Sequence, residues 1–141
     1  MIIEILKNIH QKYRINKADV SSHTRSAQKI TKEWQALVCT DSIVSEVVVS
    51  PENNEKIDLV DLKQKVAYEL KVSGKNVNHE FYKDIAKILT YNEYQPEESK
   101  ITKLIFISES FGIKSLDRRL DSRFLNLIES AHNLVFELVS I

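Results

Sequence analysis

The stretch KIDLVDLKQKVAYELKV, Lys56–Val72, decides how the chain is read. Two runs rich in β-branched and apolar residues, Lys56–Leu62 and Val66–Val72, flank Lys63-Gln64-Lys65, a gap short enough for a hairpin. Side chains alternate along a strand, so Glu69 and Lys71 share one face while Tyr68, Leu70 and Val72 take the other. The apolar set is expected to face the core, leaving Glu69 and Lys71 on a polar face. Asp58 begins the partner strand, where a hairpin or a slightly splayed pair brings its carboxylate beside Glu69.

Working outward, residues 43–49 are β-branched and predict a strand before the hairpin, separated from it by the turn Pro51-Glu-Asn-Asn-Glu55. Upstream, Ala27, Ile30, Trp34, Leu37 and Val38 recur at helical spacing within Arg25–Cys39. Residues 2–13 carry Ile2, Ile5, Leu6 and Ile9 in the same way, with 14–24 read as a linker ending in Ser21-Ser22-His23-Thr24. Downstream, Ser73-Gly74-Lys75-Asn76 breaks the strand pattern. Val77, Phe81, Ile85, Ile88 and Leu89 then mark a helix closed by Gln95-Pro96. The apolar run 101–107 predicts a buried strand. One last helix carries Leu116, Leu120, Phe124, Leu127 and Ile128, and Leu134–Ile141 is a final strand. The order helix, helix, three strands, helix, strand, helix, strand predicts an α/β fold, a central mixed sheet flanked by helices.

The chain has 141 residues, 43% of them apolar, with 20 Lys+Arg balancing 20 Asp+Glu. That length and composition fit one domain with a real core, and exclude a disordered or collagen-like chain. A single cysteine, Cys39, excludes a disulfide framework and a Cys-based zinc cluster, and suits a reducing cytoplasm. No apolar run approaches the roughly 20 residues of a membrane span, and Met-Ile-Ile-Glu lacks the features of a signal peptide. Gly74 and Gly112 are the only glycines, so no Gly-rich phosphate loop exists and no nucleotide cofactor is expected.

Zero net charge argues against a globally basic nucleic-acid binder. The zero is a sum of opposed regions: residues 1–39 carry +4, residues 40–70 carry −4, and 71–141 balance. Uneven chance distribution accounts for this as well as an acid-rich cation site with bases around it.

Asp58, Glu69 and Lys71 converging at a strand edge suit one chemistry. Two carboxylates hold a hard divalent cation, Mg²⁺ first among them, which takes oxygen ligands and keeps several waters. Such an ion polarises a phosphodiester oxygen and lowers the pKa of a bound water, and a lysine positions that water or stabilises developing charge. The backbone carbonyl of Leu70, between the two side chains, is a further ligand candidate.

Asp58, ten intervening residues, then Glu69-Leu70-Lys71, set on adjacent strands between two helices, resembles the PD-(D/E)xK nuclease superfamily. The resemblance covers residues 25–107 and implies a restriction-endonuclease-like αβββαβ core, preceded by an extra helix and linker (1–24) and followed by a C-terminal helix and strand (108–141). Ile57 stands where the proline of the motif's name would be, as in many members. On the resemblance, Asp58 matches the metal-binding aspartate, Glu69 the second acidic ligand and Lys71 the catalytic lysine. Glu33 is the candidate for a carboxylate from the first core helix.

The resemblance implies a Mg²⁺-dependent DNA endonuclease, with Mn²⁺ as a substitute ion. Restriction-type cleavage comes first, and Holliday junction resolution or homing-type cleavage second. A non-catalytic nucleic-acid-binding or assembly module of the same fold is the contrasting reading. So small a core is expected to act as a homodimer, with the Ile2/Ile5/Leu6/Ile9 face as its added interface. Ser73, Lys75, His79, Lys83, Lys87 and Tyr91 are candidates for a groove beside the site, with Lys75, Lys83 and Lys87 contacting DNA. Lys83 and Lys87 equally fit a solvated helix face with Asp84 among them. Arg118, Arg119 and Arg123 fit helical ion pairs with Asp117 and Asp121 better than phosphate contacts.

Overall fold

The computed structural model describes residues 1–15, 23–73 and 75–141. The elements are α1 (Ile2–Ile15), α2 (His23–Val38), β1 (Ile43–Val48), β2 (Lys56–Asp61), β3 (Val66–Lys71), α3 (Val77–Glu93), β4 (Lys103–Ser108), α4 (Ser110–Arg119), α5 (Ser122–His132) and β5 (Val135–Ser140). A 3₁₀ turn, Glu97–Ser99, leads into β4. Most of the expected linker and its Ser21-Ser22 cap, like Gly74 in the expected break, lie outside the described residues.

The five strands lie in sequence order, β1 and β2 antiparallel, β2 and β3 antiparallel, and β3–β4–β5 parallel. The chain is therefore α/β with a mixed sheet, as expected. Two successive crossovers advance the parallel strands in the same direction, and right-handed crossovers then put their helices on one face. One core accordingly joins Phe81, Ile85 and Ile88 of α3, Leu116 of α4 and Ile128 of α5 to Ile57, Ala67, Leu104 and Phe106 of the sheet. The opposite core joins Leu6 and Ile9 of α1 and Ile30 and Trp34 of α2 to Leu59, Leu70, Ile105 and Ile107. Trp34 donates its indole N–H to the Ile2 carbonyl at 3.0 Å and packs edge-on to Tyr68, tying α1 and α2 to the sheet. β4 is buried on both faces, which explains its unbroken apolar run.

Several expectations are corrected by this layering. The Glu69/Lys71 face is covered in part by α3: Glu69 is 0% exposed, while Lys71 stays part-exposed at the strand's end. The α1 stripe is consumed within the chain, with Leu6 and Ile9 buried against the second core and Ile2 and Ile5 packed on it, so it is no open dimer interface. The expected last helix is two, because Leu120 is extended and Asp121 caps α5, its carboxylate accepting the Arg123 N–H at 2.8 Å. Asp121 is thus a cap rather than a helical ion-pair partner, and Leu127 is exposed.

The β2–β3 turn is built on Asp61, whose carboxylate accepts the Lys63 and Gln64 N–H groups at 3.1 and 2.9 Å. Lys65 then closes the turn at φ 57°, in the left-handed region. A side chain there costs roughly 1 kcal/mol relative to glycine. Lys65→Gly is expected to stabilise the fold by about 0.5–1 kcal/mol, read as a higher urea midpoint at unchanged slope; a lower midpoint contradicts it.

Candidate active site

β1 and β2 share a distortion that aims the first acid. Val44 and Val60, paired across the two strands, both face the α3 core, yet so do Val47 and Ile57, which alternation would send to the opposite face. Both strands therefore change face across Glu46 and Asp58, and Glu46 takes φ 52°, unusual for a side chain with a Cβ. Beyond Leu59↔Tyr68 the β2–β3 ladder ends. Past that point Asp58 stops pairing through its backbone, and its Oδ2 accepts the Leu70 N–H at 2.9 Å. The splayed pair expected from sequence is present, with Asp58 reaching across the gap.

Gln35 of α2, itself buried, fixes this arrangement from behind. Its Nε2 donates to the Asp58 carbonyl at 2.9 Å and to Glu46 Oε1 at 3.2 Å. From the other side, α3 brings Glu80, Asp84 and Lys87. Lys71 Nζ lies 3.0 Å from Glu80 Oε2. Lys87 Nζ lies 2.6 Å from Glu69 Oε1 and 3.3 Å from Asp84 Oδ1. Ser108, at the end of β4, donates its hydroxyl to the Lys71 carbonyl at 2.6 Å. Glu46, Leu70, Lys71 and Glu80 border a cleft of about 700 Å³, also lined by Thr31 and Lys75, whereas Asp58, Glu69, Asp84 and Lys87 do not line it.

Asp58, Glu69, Leu70 and Lys71 are therefore together. Glu33 is not with them: its carboxylate accepts the Tyr13 hydroxyl at 2.9 Å and pairs with Lys12, turned toward α1. Lys87 is 8% exposed and pairs with acids, so it is not the outward phosphate contact expected of it. Lys83 points outward and pairs with Glu55 at 3.5 Å. Lys75 is exposed on the cleft. Asp84, Glu80, Gln35, Glu46 and Ser108 were missed by sequence reasoning. Asp84 had a signal: Val77, Phe81, Asp84, Ile88 and Tyr91 recur at four and three residues, setting an acid in the buried stripe.

Burial raises the pKa of Glu69 well above the carboxylate range, with the Asp58 and Asp84 charges adding to the rise and Lys87 opposing it. Burial likewise pushes Asp84 up to about 6 against the pull of Lys87 and Lys71. Asp58 is raised by burial, opposed first by the Leu70 N–H and then by Lys87 and Lys71. For Lys71, burial favours the neutral amine, but Asp84, the Glu80 hydrogen bond and the charges of Glu80 and Glu69 prevail, so its pKa is raised.

Glu69 Oε2 and Asp84 Oδ2 are buried and accept no hydrogen bond among the described residues. Three acids, Asp58, Glu69 and Asp84, crowd a site whose nearest cations are Lys71 and Lys87. Among the described residues no three Asp, Glu, His or Cys side chains ring a common point closely enough to hold an ion. Asp58 and Glu69, with the Leu70 carbonyl and waters, match the one or two carboxylates with which Mg²⁺ is usually held.

A pH dependence follows. A carboxyl with a folded pKa near 6 and an unfolded value near 3.8 binds more protons in the native state between these limits. Stability therefore falls as pH rises through that window, and Glu69 extends the loss upward. A tenfold difference in proton affinity between folded and unfolded chains is worth about 1.4 kcal/mol, so the ion-free protein is expected to lose on the order of 2 kcal/mol from Asp84 between about pH 4 and pH 7. Thermal melts in EDTA should show it, and Mg²⁺ should reverse it above about pH 6. A melting temperature that climbs steadily to neutral pH in EDTA contradicts the assignment.

No helix among the described residues is long and apolar enough to cross a membrane. Comparison of the chain with protein-family models, with curated proteins and with solved structures finds no match, so the chemistry of the site rests on its own residues.

Proposed function

We propose that the chain is a Mg²⁺-dependent endonuclease that hydrolyses DNA phosphodiester bonds, a compact member of the PD-(D/E)xK superfamily working in the cytoplasm. One observation supports the reading: where the β2–β3 ladder ends, Asp58 reaches over to the Leu70 N–H, between Glu69 and Lys71, and Leu70 and Lys71 line a cleft. Strand distortions that point acids at one another are costly and cluster at functional sites.

Asp58 and Glu69 would hold the ion, with the Leu70 carbonyl. Mn²⁺ would substitute. When bound, the ion supplies Lewis-acid polarisation of the phosphate and a water of lowered pKa. The chain's own groups do the rest. The Leu70 N–H and Gln35 hold Asp58 in place. Lys71, with its raised pKa, stays protonated at neutral pH, so it orients the attacking water and stabilises charge on the phosphoryl oxygens rather than acting as a base. Lys75, exposed on the cleft, is the candidate backbone-phosphate contact.

Cleavage of supercoiled plasmid and of a four-way junction with Mg²⁺ or Mn²⁺, with EDTA as control, tests the proposal. Linear duplex cut at a defined sequence supports a restriction-type enzyme. Symmetric cutting of the junction without sequence preference supports a resolvase, and a long, degenerate recognition site supports homing-type cleavage. A homodimer would supply both cuts of a duplex, and sedimentation with and without DNA checks it. The non-catalytic reading draws on the pairing of Lys87 with Glu69, which already neutralises one ligand; DNA binding with no cleavage under any divalent ion supports it.

A further inference from the structure

We propose that Lys87 is a resident counter-cation of the site, which a divalent ion must displace to bind. The inference rests on the metal reading above and concerns how that site is regulated. Lys87 Nζ sits 2.6 Å from Glu69 Oε1 and 3.3 Å from Asp84 Oδ1, with both acid side chains 1% exposed. It is the charge that makes two buried carboxylates tolerable when no ion is present.

A divalent cation seeks the same carboxylate. Mg²⁺ takes its oxygens at about 2.0–2.1 Å, closer than the ammonium now approaches Glu69. An ammonium and a divalent ion sharing one buried carboxylate, a few Å apart, repel each other strongly in so weakly screened a place. Lysine is suited to yield, because its charge rides on a flexible four-carbon stem. Its i, i+3 pairing with Asp84 on α3 gives the ammonium a partner once Glu69 is taken. Asp84 is then the docking point for the displaced lysine rather than a ligand, in keeping with the absence of a three-acid ring among the described residues.

The consequence is an affinity threshold. Ion binding has to break the Lys87–Glu69 pair, so the free protein binds divalent ions weakly, and the site fills at high ion concentration or when a phosphate adds ligands. Cleavage chemistry is thereby withheld from a protein with no substrate in its cleft.

Mn²⁺ titration of the full chain by calorimetry, without DNA, tests this directly. Lys87→Met is expected to bind Mn²⁺ at least about tenfold more tightly than the wild type, the effect of removing one competing charge, while melting lower in EDTA. Equal or weaker binding by Lys87→Met overturns the proposal and leaves the site reading intact. Should that variant fail to fold, Lys87→Gln, which keeps a polar head beside Asp84 without the charge, replaces it: the same gain of about tenfold is expected, and equal or weaker binding again overturns the proposal. Glu69→Gln separates the two levels. If it binds Mn²⁺ as the wild type does, or if neither the wild type nor Lys87→Met binds any, the metal reading itself falls and the inference with it.

Discussion

Glu69→Ala is expected to lower DNA cleavage by about 10³-fold or more, and Lys71→Ala by about 10²–10³-fold, in the same Mg²⁺ assay. Loss of an ion's polarising charge forfeits several kcal/mol of transition-state stabilisation, and each 1.4 kcal/mol is about tenfold in rate. Lys71 supplies a single directed charge, comparable to one removed donor at a developing oxyanion. The two variants should differ in their response to the ion. Glu69→Ala loses a ligand, so raising Mn²⁺ recovers part of its activity if Asp58 and the Leu70 carbonyl still hold the ion. Lys71→Ala keeps the ligand set, so extra ion does not help it. Neither is expected to unfold: without Glu69, Lys87 still has Asp84 at 3.3 Å, and without Lys71, Glu80 is left part-exposed to water. Cleavage that survives both substitutions would remove the site from consideration, and folding checked by circular dichroism keeps the comparison clean.

The hairpin, and with it the placing of Asp58 near Glu69 and Lys71, was legible because strand alternation is local. Val66–Lys71 carries its own period, and the ten residues from Asp58 to Glu69 leave room for only a short turn. β4 was legible from its unbroken apolar run. What escaped was everything decided by the layer laid over the hairpin. α3 covers the Glu69 face, and that burial turns a charged strand face into a buried charge cluster. Lys87 read as a DNA contact or a solvated helix residue because lysine is rarely buried unpaired, and its partner, Glu69, is 18 residues away on another element. Asp84 alone announced itself, by falling within the α3 apolar stripe. The face change at Glu46 and Asp58 has no local signature, since neither glycine nor proline marks it. The break at Leu120 hid inside a helical period that runs on past it, with only Asp121 as a cap residue to betray it.

Replacing the whole cluster, Glu69→Leu with Asp84→Leu and Lys87→Met, is expected to leave a folded protein as stable as the wild type in EDTA, or more so, with no cleavage and no Mg²⁺ response in its melt. The residues around it are apolar: Ala67, Phe81, Ile85, Ile88 and Phe106 form the same core. Substituting apolar groups of similar volume for a buried ionic cluster is often neutral, or stabilising by about 1–4 kcal/mol, because the desolvation of each charge disappears with it. Breaking the cluster is different. Lys87→Met alone leaves two buried acids with their counter-charge gone and is expected to cost about 3 kcal/mol at neutral pH, less at about pH 5 where Asp84, titrating near 6, is largely protonated. The contrast between the single and triple variants separates two reasons for the cluster's presence. If the three charges hold α3 against the sheet, the triple variant fails to fold or melts well below the wild type. If they are kept for the cation, the fold improves without them and only the chemistry is lost. The raised pKa values of Glu69 and Asp84 favour the second outcome, because carboxyls that resist ionisation in their own fold are opposed by their surroundings.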